Sequence, residues 1–140
     1  LSGAVDQLSE AQDLATVHEV VSRSARQLTG ADGATFVLRE GRRANFVDED
    51  AVGPLWKGQS FPIDECISGW AMLYRQPVAV SDIQLDDRIR LETYQSTFVK
   101  SLAMVPIRSI APLGAIGVYW ASTHIAGNTA ISASDSGVTL

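Results

Sequence analysis

The fold is decided by three blocks of sequence between Phe61 and Trp120: FPIDECISGWA at 61–71, KSLAMVPI at 100–107 and GAIGVYW at 114–120. The last two blocks predict strands over 99–107 and 114–121. Both are apolar with little alternation, as is typical of strands that are covered on both faces. The run from 66 to 74 has no helix breaker except Gly69, so it predicts about two helical turns.

Upstream of these blocks, the N-terminal third predicts one amphipathic helix over about 10–29, which could begin as early as Val5. Asp13 has the side chain of an N-cap, and Gly30 is suited to the position just after the last helical turn. Apolar residues recur at steps of three and four and define the face expected to pack on the protein: Leu14, Val17, Val21, Ala25 and Leu28.

The next region predicts a β-hairpin. Residues 34–38 and 43–47 are rich in strand-forming residues, and Glu40-Gly41 between them is a turn signal. The acidic run 48–50 is expected to end the hairpin on the surface. From 51 to 98 the chain is irregular, with a short strand predicted at 77–80 and broken helical turns at 86–96.

The order of these elements predicts an α+β fold: an antiparallel sheet with helices packed on one face. At 140 residues the chain fits one domain, with 46% apolar and 19% charged residues. Its net charge of −5 argues against nucleic-acid binding. One cysteine excludes an intrachain disulfide. No apolar run is long enough for a bilayer and no signal peptide is visible, so we expect a cytoplasmic domain without membrane contact.

Four motifs resemble the GAF domain family, and the resemblance covers about residues 10–124. They are TGADGA at 29–34, CISGWA at 66–71, FVKSL at 98–102 followed by VPI at 105–107, and GAIG at 114–117. The second motif is similar to segments of GAF domains attached to bacterial sensor histidine kinases. The resemblance implies a central antiparallel sheet of five or six strands with helices packed on it.

The same resemblance implies a regulatory, small-molecule-sensing domain of a bacterial two-component signalling protein. Such a domain would act on an output domain, and since the chain starts without Met, we expect it to come from a longer protein. We expect a homodimer because, without the family's usual final helix, surface beside the first helix would stay uncovered. Residues 1–124 would form the sensor domain. Residues 125–140 differ from the long final helix that is usual in the family, and their Ala, Ser, Thr and Gly content fits an atypical, disordered tail.

Aromatic residues supply the candidate ligand site. In the GAF fold the irregular segment covers one face of the sheet, and small ligands lie beneath it. Such sites are mostly apolar with a few polar groups. The candidates for these polar groups are Ser68, Ser101 and Arg108. Trp120 is a further aromatic candidate. The predicted ligand-binding residues are Phe46, Trp56, Phe61, Cys66, Trp70, Tyr94, Met104 and Arg108. The sequence does not identify a ligand or cofactor, and an ordinary aromatic core is the alternative.

Cys66 suggests a redox sensor or a covalent attachment point, because it is the only thiol. The run 64–67 approximates the Asp-x-Cys-Phe pattern of some bilin-binding GAF domains, but Ile67 replaces the Phe. There is no second Cys, and His18 and His124 lie outside the relevant region. Reduction of free methionine sulfoxide would need a resolving thiol. A buried, unreactive thiol at a helix start is therefore the favoured interpretation.

No catalytic constellation is visible, so the sequence predicts a sensor rather than an enzyme, and no metal site. Asp82, Asp86, Asp87 and Glu92 are interleaved with Arg88 and Arg90, a pattern typical of a solvated ion-pair surface. His18 lies outside the apolar stripe and is expected on the surface. Three hypotheses remain: a ligand-sensing domain, a ligand-free dimerisation module, and a thiol redox sensor acting through Cys66.

Overall fold

The computed structural model describes residues 2–107 and 113–123, with side chains from residue 12 onward. Arg108 and the predicted tail 125–140 lie outside the described residues. The helices are α1 (Ser2–Thr29), α2 (Ile67–Tyr74) and α3 (Leu91–Tyr94), with 3-10 turns at Ile63–Glu65 and Ile83–Leu85. The strands are β1 (Gly33–Glu40), β2 (Arg43–Ala51), β3 (Ser60–Pro62), β4 (Val78–Val80), β5 (Ser101–Ile107) and β6 (Gly114–Trp120).

The strands form one antiparallel sheet in the order β3-β2-β1-β6-β5-β4. This confirms the predicted α+β fold with a sheet of five or six strands. The sequence did not predict β3, because it has only three residues and ends at a proline. Strand β6 pairs with both β1 and β5, so its residues lie at the centre of the sheet.

Helical segments cover both faces of the sheet, so the prediction of helices on one face is wrong. Successive residues of a strand point to opposite faces, and β5 shows the consequence. Leu102 and Met104 belong to a core cluster with α2, whereas Ala103 and Val105 pack in a cluster that includes Ala25 of α1. We call residues 52–59, 63–77 and 81–98, which lie over the face opposite α1, the cap.

Helix α1 is rotated relative to the prediction. Val21 and Ala25 pack towards the sheet, but Leu14, Val17 and Leu28 are 58%, 52% and 81% exposed. A helix can bury only one side against a sheet, and the side that packs here combines Val21 and Ala25 with the buried Ser22. His18 is half-buried against this face, contrary to the surface prediction, with its ring centroid 4.8 Å from that of Phe36.

The sequence prediction is correct at the C-terminal end of α1 and wrong at its N-terminal end. Gly30 has a φ of 66°, which confirms its predicted role directly after the helix. Asp13 is not an N-cap, because the helix begins at Ser2 and runs through it. Among the described helices, none has the length and apolar character that crossing a bilayer requires.

The acidic run 48–50 does not end the hairpin, because β2 continues to Ala51. Asp48 is buried and its Oδ1 lies 3.1 Å from Lys57 Nζ, while its Oδ2 has no partner among the described residues. Glu49 accepts hydrogen bonds from the backbone N–H groups of two residues in the loop 55–57, and Asp50 accepts one from Arg26. Tertiary partners therefore extend a strand that the local charge pattern appeared to terminate.

Candidate functional site

The site is built around the start of α2. Cys66 is the N-cap of this helix, and its sulfur accepts a hydrogen bond from the backbone N–H of Gly69 at 3.4 Å. A side chain at Gly69 would collide with the backbone carbonyl of Ile63. Glycine thus allows the 3-10 turn Ile63–Glu65 to fold directly against the first turn of α2. This close contact fixes where Cys66 and Ser68 lie.

A cavity lies between the cap and the sheet. Its volume is about 20 Å³, which is room for one water molecule. It is lined by Phe46, Trp56, Phe61, Glu65, Cys66, Ile67, Ser68, Arg88, Ile89, Arg90, Thr93, Tyr94 and Tyr119. Trp56 is at the centre of the aromatic part, with edge-to-face contacts to Phe46, Tyr94 and Tyr119 at centroid distances of 5.6, 5.0 and 5.3 Å.

Two hydroxyl groups form the floor of the site. The Tyr119 hydroxyl and Thr35 Oγ1 are hydrogen-bonded at 2.9 Å, and both residues are fully buried. Gly117 makes this pair possible, because a Cβ at that position would overlap both side-chain oxygens. Burial raises the pKa of Tyr119 well above its usual range, so the phenol stays protonated.

Tyr94 differs from Tyr119 in that its hydroxyl has no hydrogen-bond partner among the described residues. The residue is 8% exposed, and it lines the cavity. Burial raises the pKa of Tyr94, with smaller contributions from the Tyr119 hydroxyl and the Cys66 thiol. The hydroxyl is therefore a protonated donor near two cavity-lining groups, whereas Trp56 already donates its Nε1–H to the carbonyl of Thr93 at 3.1 Å.

Cys66 is half-buried at the edge of the cavity. Its sulfur donates to the Pro62 carbonyl at 3.6 Å and lies 3.3 Å from Ser68 Oγ. Burial raises the pKa of the thiol, and the contacts with Ser68 and Gly69 only partly offset this effect. A raised pKa disfavours the thiolate, which is the reactive form.

Two arginines mark the rim of the cavity. Arg90 Nη2 lies 2.9 Å from Glu65 Oε1 and Arg88 Nη2 lies 2.7 Å from Asp86 Oδ2. The Arg88 hydrogen bond lowers the pKa of the Asp86 carboxyl. Arg88 also lies over the Trp70 ring, 4.7 Å from its centroid.

An outer groove of about 350 Å³ runs along the other side of this rim. It is lined by Asp64, Glu65, Cys66, Trp70, Leu73, Tyr74, Asp87, Arg88 and Arg90. Glu65, Cys66, Arg88 and Arg90 line both spaces. We call these four residues the partition, because they separate the cavity from the groove.

The structure brings most of the predicted ligand-binding residues together. Phe46, Trp56, Phe61, Cys66 and Tyr94 all line the cavity. Trp70 lines the outer groove beside Cys66. Met104 is fully buried in the same core cluster but does not line the cavity. Arg108 lies outside the described residues.

Two further candidates are on the wrong side of the sheet. Trp120 packs in the cluster beneath α1, and Ser101, its partner in the register, donates a hydrogen bond to the Ser122 carbonyl. Successive residues of a strand face opposite sides of the sheet. Leu102 and Tyr119 face the cap, so their neighbours Ser101 and Trp120 face away from the cavity. Ser68 does line the cavity.

Sequence reasoning missed the partition arginines and the floor hydroxyls. Arg88 and Arg90 were assigned to a solvated ion-pair surface, and the predicted pairing is present for Arg88 and Asp86. Their place beside the cavity depends on the path of the cap. The described residues contain no group of acidic, His or Cys side chains that would hold a metal. Tyr119 gave a usable signal, because it alternates with Trp120 and Val118 in a central strand.

Comparison with known families agrees with this architecture. The family model described as GAF domain matches residues 11–129. The chain therefore belongs to the GAF domain family, whose members are regulatory, small-molecule-binding signalling domains. No curated protein matches the sequence.

Solved structures with the same fold have diverse roles. The type II free methionine-R-sulfoxide reductase of Thermoplasma acidophilum has a TM-score of 0.70 at 15% identity, covering 91% of this chain and 85% of that one. The blue-light absorbing form of the Thermosynechococcus elongatus PixJ GAF domain has a TM-score of 0.70 at 20% identity, covering 84% and 76%. The GAF-B domain of DevS from Mycobacterium smegmatis has a TM-score of 0.62 at 21% identity, covering 79% and 76%. At such identities the likeness concerns the fold.

Proposed function

We propose that this chain is the sensor domain of a bacterial signalling protein and that it binds a small molecule in the cavity beneath the cap. The observation that carries the proposal is Tyr94, which lines the cavity and whose hydroxyl has no hydrogen-bond partner among the described residues. A ligand in the cavity would exclude water from this hydroxyl, and a donor that loses water needs an acceptor. An acceptor group on the ligand would meet that need.

The mechanism is a shift between two conformations of the cap. A cavity of about 20 Å³ is far smaller than the roughly 300 Å³ of a typical ligand pocket, so binding requires the cap to move. A ligand that binds only the open arrangement shifts the population towards it. The cap contacts β6, and β6 also packs against α1 through Val118, which gives the movement a route to the N-terminal helix.

Native mass spectrometry of the protein purified from cells, together with its absorption spectrum, tests the ligand proposal. A retained small molecule adds mass, and Tyr94→Phe is expected to reduce its occupancy because the phenol donor is lost. Thr16→Val is the control, since it removes an exposed hydroxyl on α1, away from the cavity and the cap. The proposal fails if purified protein carries no ligand and no compound from a small-molecule library changes its melting temperature.

The broader setting is proposed on the same basis. We place the domain in the cytoplasm, in a two-component protein such as a histidine kinase, upstream of an output domain. Nucleic acid is not an expected partner, because the chain carries a net charge of −5. The sequence that flanks this chain in its gene tests the setting directly: a kinase segment supports it, and a different output domain replaces it.

A homodimer through α1 is the second candidate function, and the exposed apolar side of this helix favours it. Leu14, Val17, Val20 and Leu28, which we call the α1 seam, are all more than 40% exposed. Exposed apolar patches of this kind mark association surfaces. Sedimentation velocity is expected to show a dimer, and a strict monomer at high concentration would contradict it. A dimer that never binds a ligand would favour the interaction module over the sensor.

We propose that the domain has no catalytic activity and that Cys66 is not a redox sensor. Cys66 is the single cysteine of the chain, and the pKa of its thiol is raised. Thiol-based sulfoxide reduction needs a second thiol, which dithiothreitol supplies in the following test, so the expectation rests on the raised pKa of Cys66. Incubation with free methionine-R-sulfoxide and dithiothreitol is expected to give no turnover above the blank, and turnover that is lost in Cys66→Ser would overturn the proposal.

A further inference from the structure

The partition between the cavity and the outer groove joins two separate segments of the cap. Arg88 and Arg90 belong to the segment that leads into α3, whereas Glu65 and Cys66 belong to the segment that leads into α2. Two contacts cross between these segments: the Arg90–Glu65 ion pair at 2.9 Å and the stacking of Arg88 on Trp70 at 4.7 Å. Separation of the segments would unite the cavity with the groove of about 350 Å³.

The charged groups are distributed unevenly across the partition. Glu65, Arg88 and Arg90 are the charged residues that line the cavity, where Arg90 is paired with Glu65 and Arg88 with Asp86. Asp64 and Asp87 line the outer groove and not the cavity. A ligand that displaces Glu65 from Arg90 therefore meets a positive charge that has lost its partner.

Arg88, Arg90 and Tyr94 provide donors among the residues that line the cavity, and Glu65 provides a carboxylate acceptor. The guanidinium groups of Arg88 and Arg90 can only donate. The Tyr94 hydroxyl is protonated and has no acceptor among the residues that the structure describes. The remaining walls are aromatic, with Trp56 and Phe46 in edge-to-face contact. The complementary molecule is rich in acceptors, carries negative charge and has a flat apolar body.

We propose that the ligand of this site is a small carboxylic acid with one flat apolar ring, and that its carboxylate replaces Glu65 as the partner of Arg90. This inference rests on the proposed ligand-sensing function and specifies the chemical class of the ligand. Exchange of one carboxylate for another keeps Arg90 paired while it releases the α2 segment from the α3 segment. Ligand binding and cap opening are thereby the same event.

The test is a binding comparison with defined probes. Benzoate, 4-hydroxybenzoate and phenylacetate are each titrated into the full chain beside the corresponding primary amide, with benzylamine as the cationic probe. Calorimetry or tryptophan fluorescence gives the affinities. At least one acid is expected to bind about tenfold or more tightly than its amide, since a charged acceptor strengthens its hydrogen bonds.

Three variants test whether the residues of the partition cause the preference for the acid over the amide. Arg90→Gln is expected to remove most of the preference for the acid over the amide. Glu65→Gln is expected to tighten acid binding by about two- to fivefold, because the competing exposed carboxylate is lost. Arg42→Gln is the matched control: it removes an exposed arginine at the hairpin turn and should leave all affinities unchanged. Circular dichroism and melting temperature confirm that each variant is folded.

Each other outcome overturns the inference. Equal affinity for acid and amide would exclude the proposed ligand class while the sensing function stands. Preference for benzylamine would assign binding to the acidic outer groove. An acid preference that persists in Arg90→Gln would mean that the anion binds elsewhere. Absence of binding by all acids rejects the class, and native mass spectrometry then decides the sensing function separately.

Discussion

The two faces of the sheet differ in the side chains that they carry, although the same strands build both. Beneath α1 the central strands present small residues such as Ala34, Ala103 and Val118 together with larger apolar ones such as Phe36 and Trp120. Beneath the cap, the same strands present larger or hydroxylated residues such as Met104, Tyr119 and Thr35. Small residues allow α1 to lie close to the sheet. Large rings that meet irregular segments leave a cavity.

This difference indicates that the face under α1 supports the fold and that the face under the cap is suited to recognition. The face under α1 is a packed layer of apolar groups, whose stability depends on burial. The face under the cap combines burial with hydroxyls, a thiol and two arginines, so that its energy depends on how polar groups are paired. Conformational change is therefore expected on the cap side, and substitutions on the two sides should behave differently.

The largest effect is expected from Gly69→Ala, which tests how tightly the cap is packed. Alanine normally favours a helix over glycine by about 1 kcal/mol. Here the added methyl would collide with the Ile63 carbonyl, so we expect a loss of about 3 kcal/mol in unfolding free energy. Urea denaturation measures it.

Gly53→Ala is the control for this substitution. Its Cβ would have an ordinary contact of 3.8 Å with Phe98, so stability should change by less than about 1 kcal/mol. If Gly69→Ala were as stable as the wild type, the 3-10 turn would not pack on α2 as described.

The next largest effect concerns the floor hydroxyls, which make the cap-facing side of the sheet polar. Tyr119→Phe is expected to lower the unfolding free energy by about 1–3 kcal/mol, because Thr35 loses its partner in a buried setting. The double variant Thr35→Val with Tyr119→Phe should be no less stable than Tyr119→Phe alone.

Tyr74→Phe serves as the reference for this cycle. Its hydroxyl is on an exposed ring, and its loss should change stability by less than about 0.5 kcal/mol. Strictly additive effects of the two floor substitutions would show that the Thr35–Tyr119 hydrogen bond contributes nothing.

The alkylation rate of Cys66 tests the environment on the cap side of the sheet. Its raised pKa lowers the thiolate fraction at neutral pH, so iodoacetamide should alkylate the folded protein more slowly than the denatured protein. The folded state holds the thiol proton more tightly than the unfolded state. This contribution to stability is complete below the ordinary thiol pKa and is lost as the pH rises through the raised value. Alkylation faster than in denaturant would revive the redox hypothesis.

The smallest effect on stability is expected on the outer side of α1. Leu28→Ser removes an apolar side chain that is 81% exposed and should change the monomer's unfolding free energy by less than about 0.5 kcal/mol. Ile116→Val, which removes one buried carbon beneath the same helix, should cost about 0.5–1.5 kcal/mol.

Sedimentation distinguishes an effect on the dimer from an effect on the fold of one chain. Leu28→Ser together with Leu14→Ser is expected to weaken the dimer while the fold is kept. A large stability loss in the protein at concentrations where it is monomeric would mean that these leucines are covered within one chain.

Much of the fold could be predicted because its signals are local. The strands predicted at 99–107 and 114–121 agree closely with Ser101–Ile107 and Gly114–Trp120, since their apolar runs need no partner to be recognised. Strand β2 was cut short at Val47, because Asp48 and Asp50 find their donors in Lys57 and Arg26, which are distant in the chain. The aromatic lining of the cavity was predictable from residue type, but its arginine rim was not.

By itself the sequence determined the α+β class, the main strands and the aromatic residues around Cys66, because these depend on apolar content and on the spacing of breakers. Only the tertiary structure decided which side each residue faces. It placed Trp120 beneath α1 and Tyr119 beneath the cap, exposed the predicted stripe of α1, and brought Arg90 to Glu65 across two cap segments. The reason is geometric: neighbouring residues of a strand point to opposite faces, and an irregular segment carries no periodic signal for its partners.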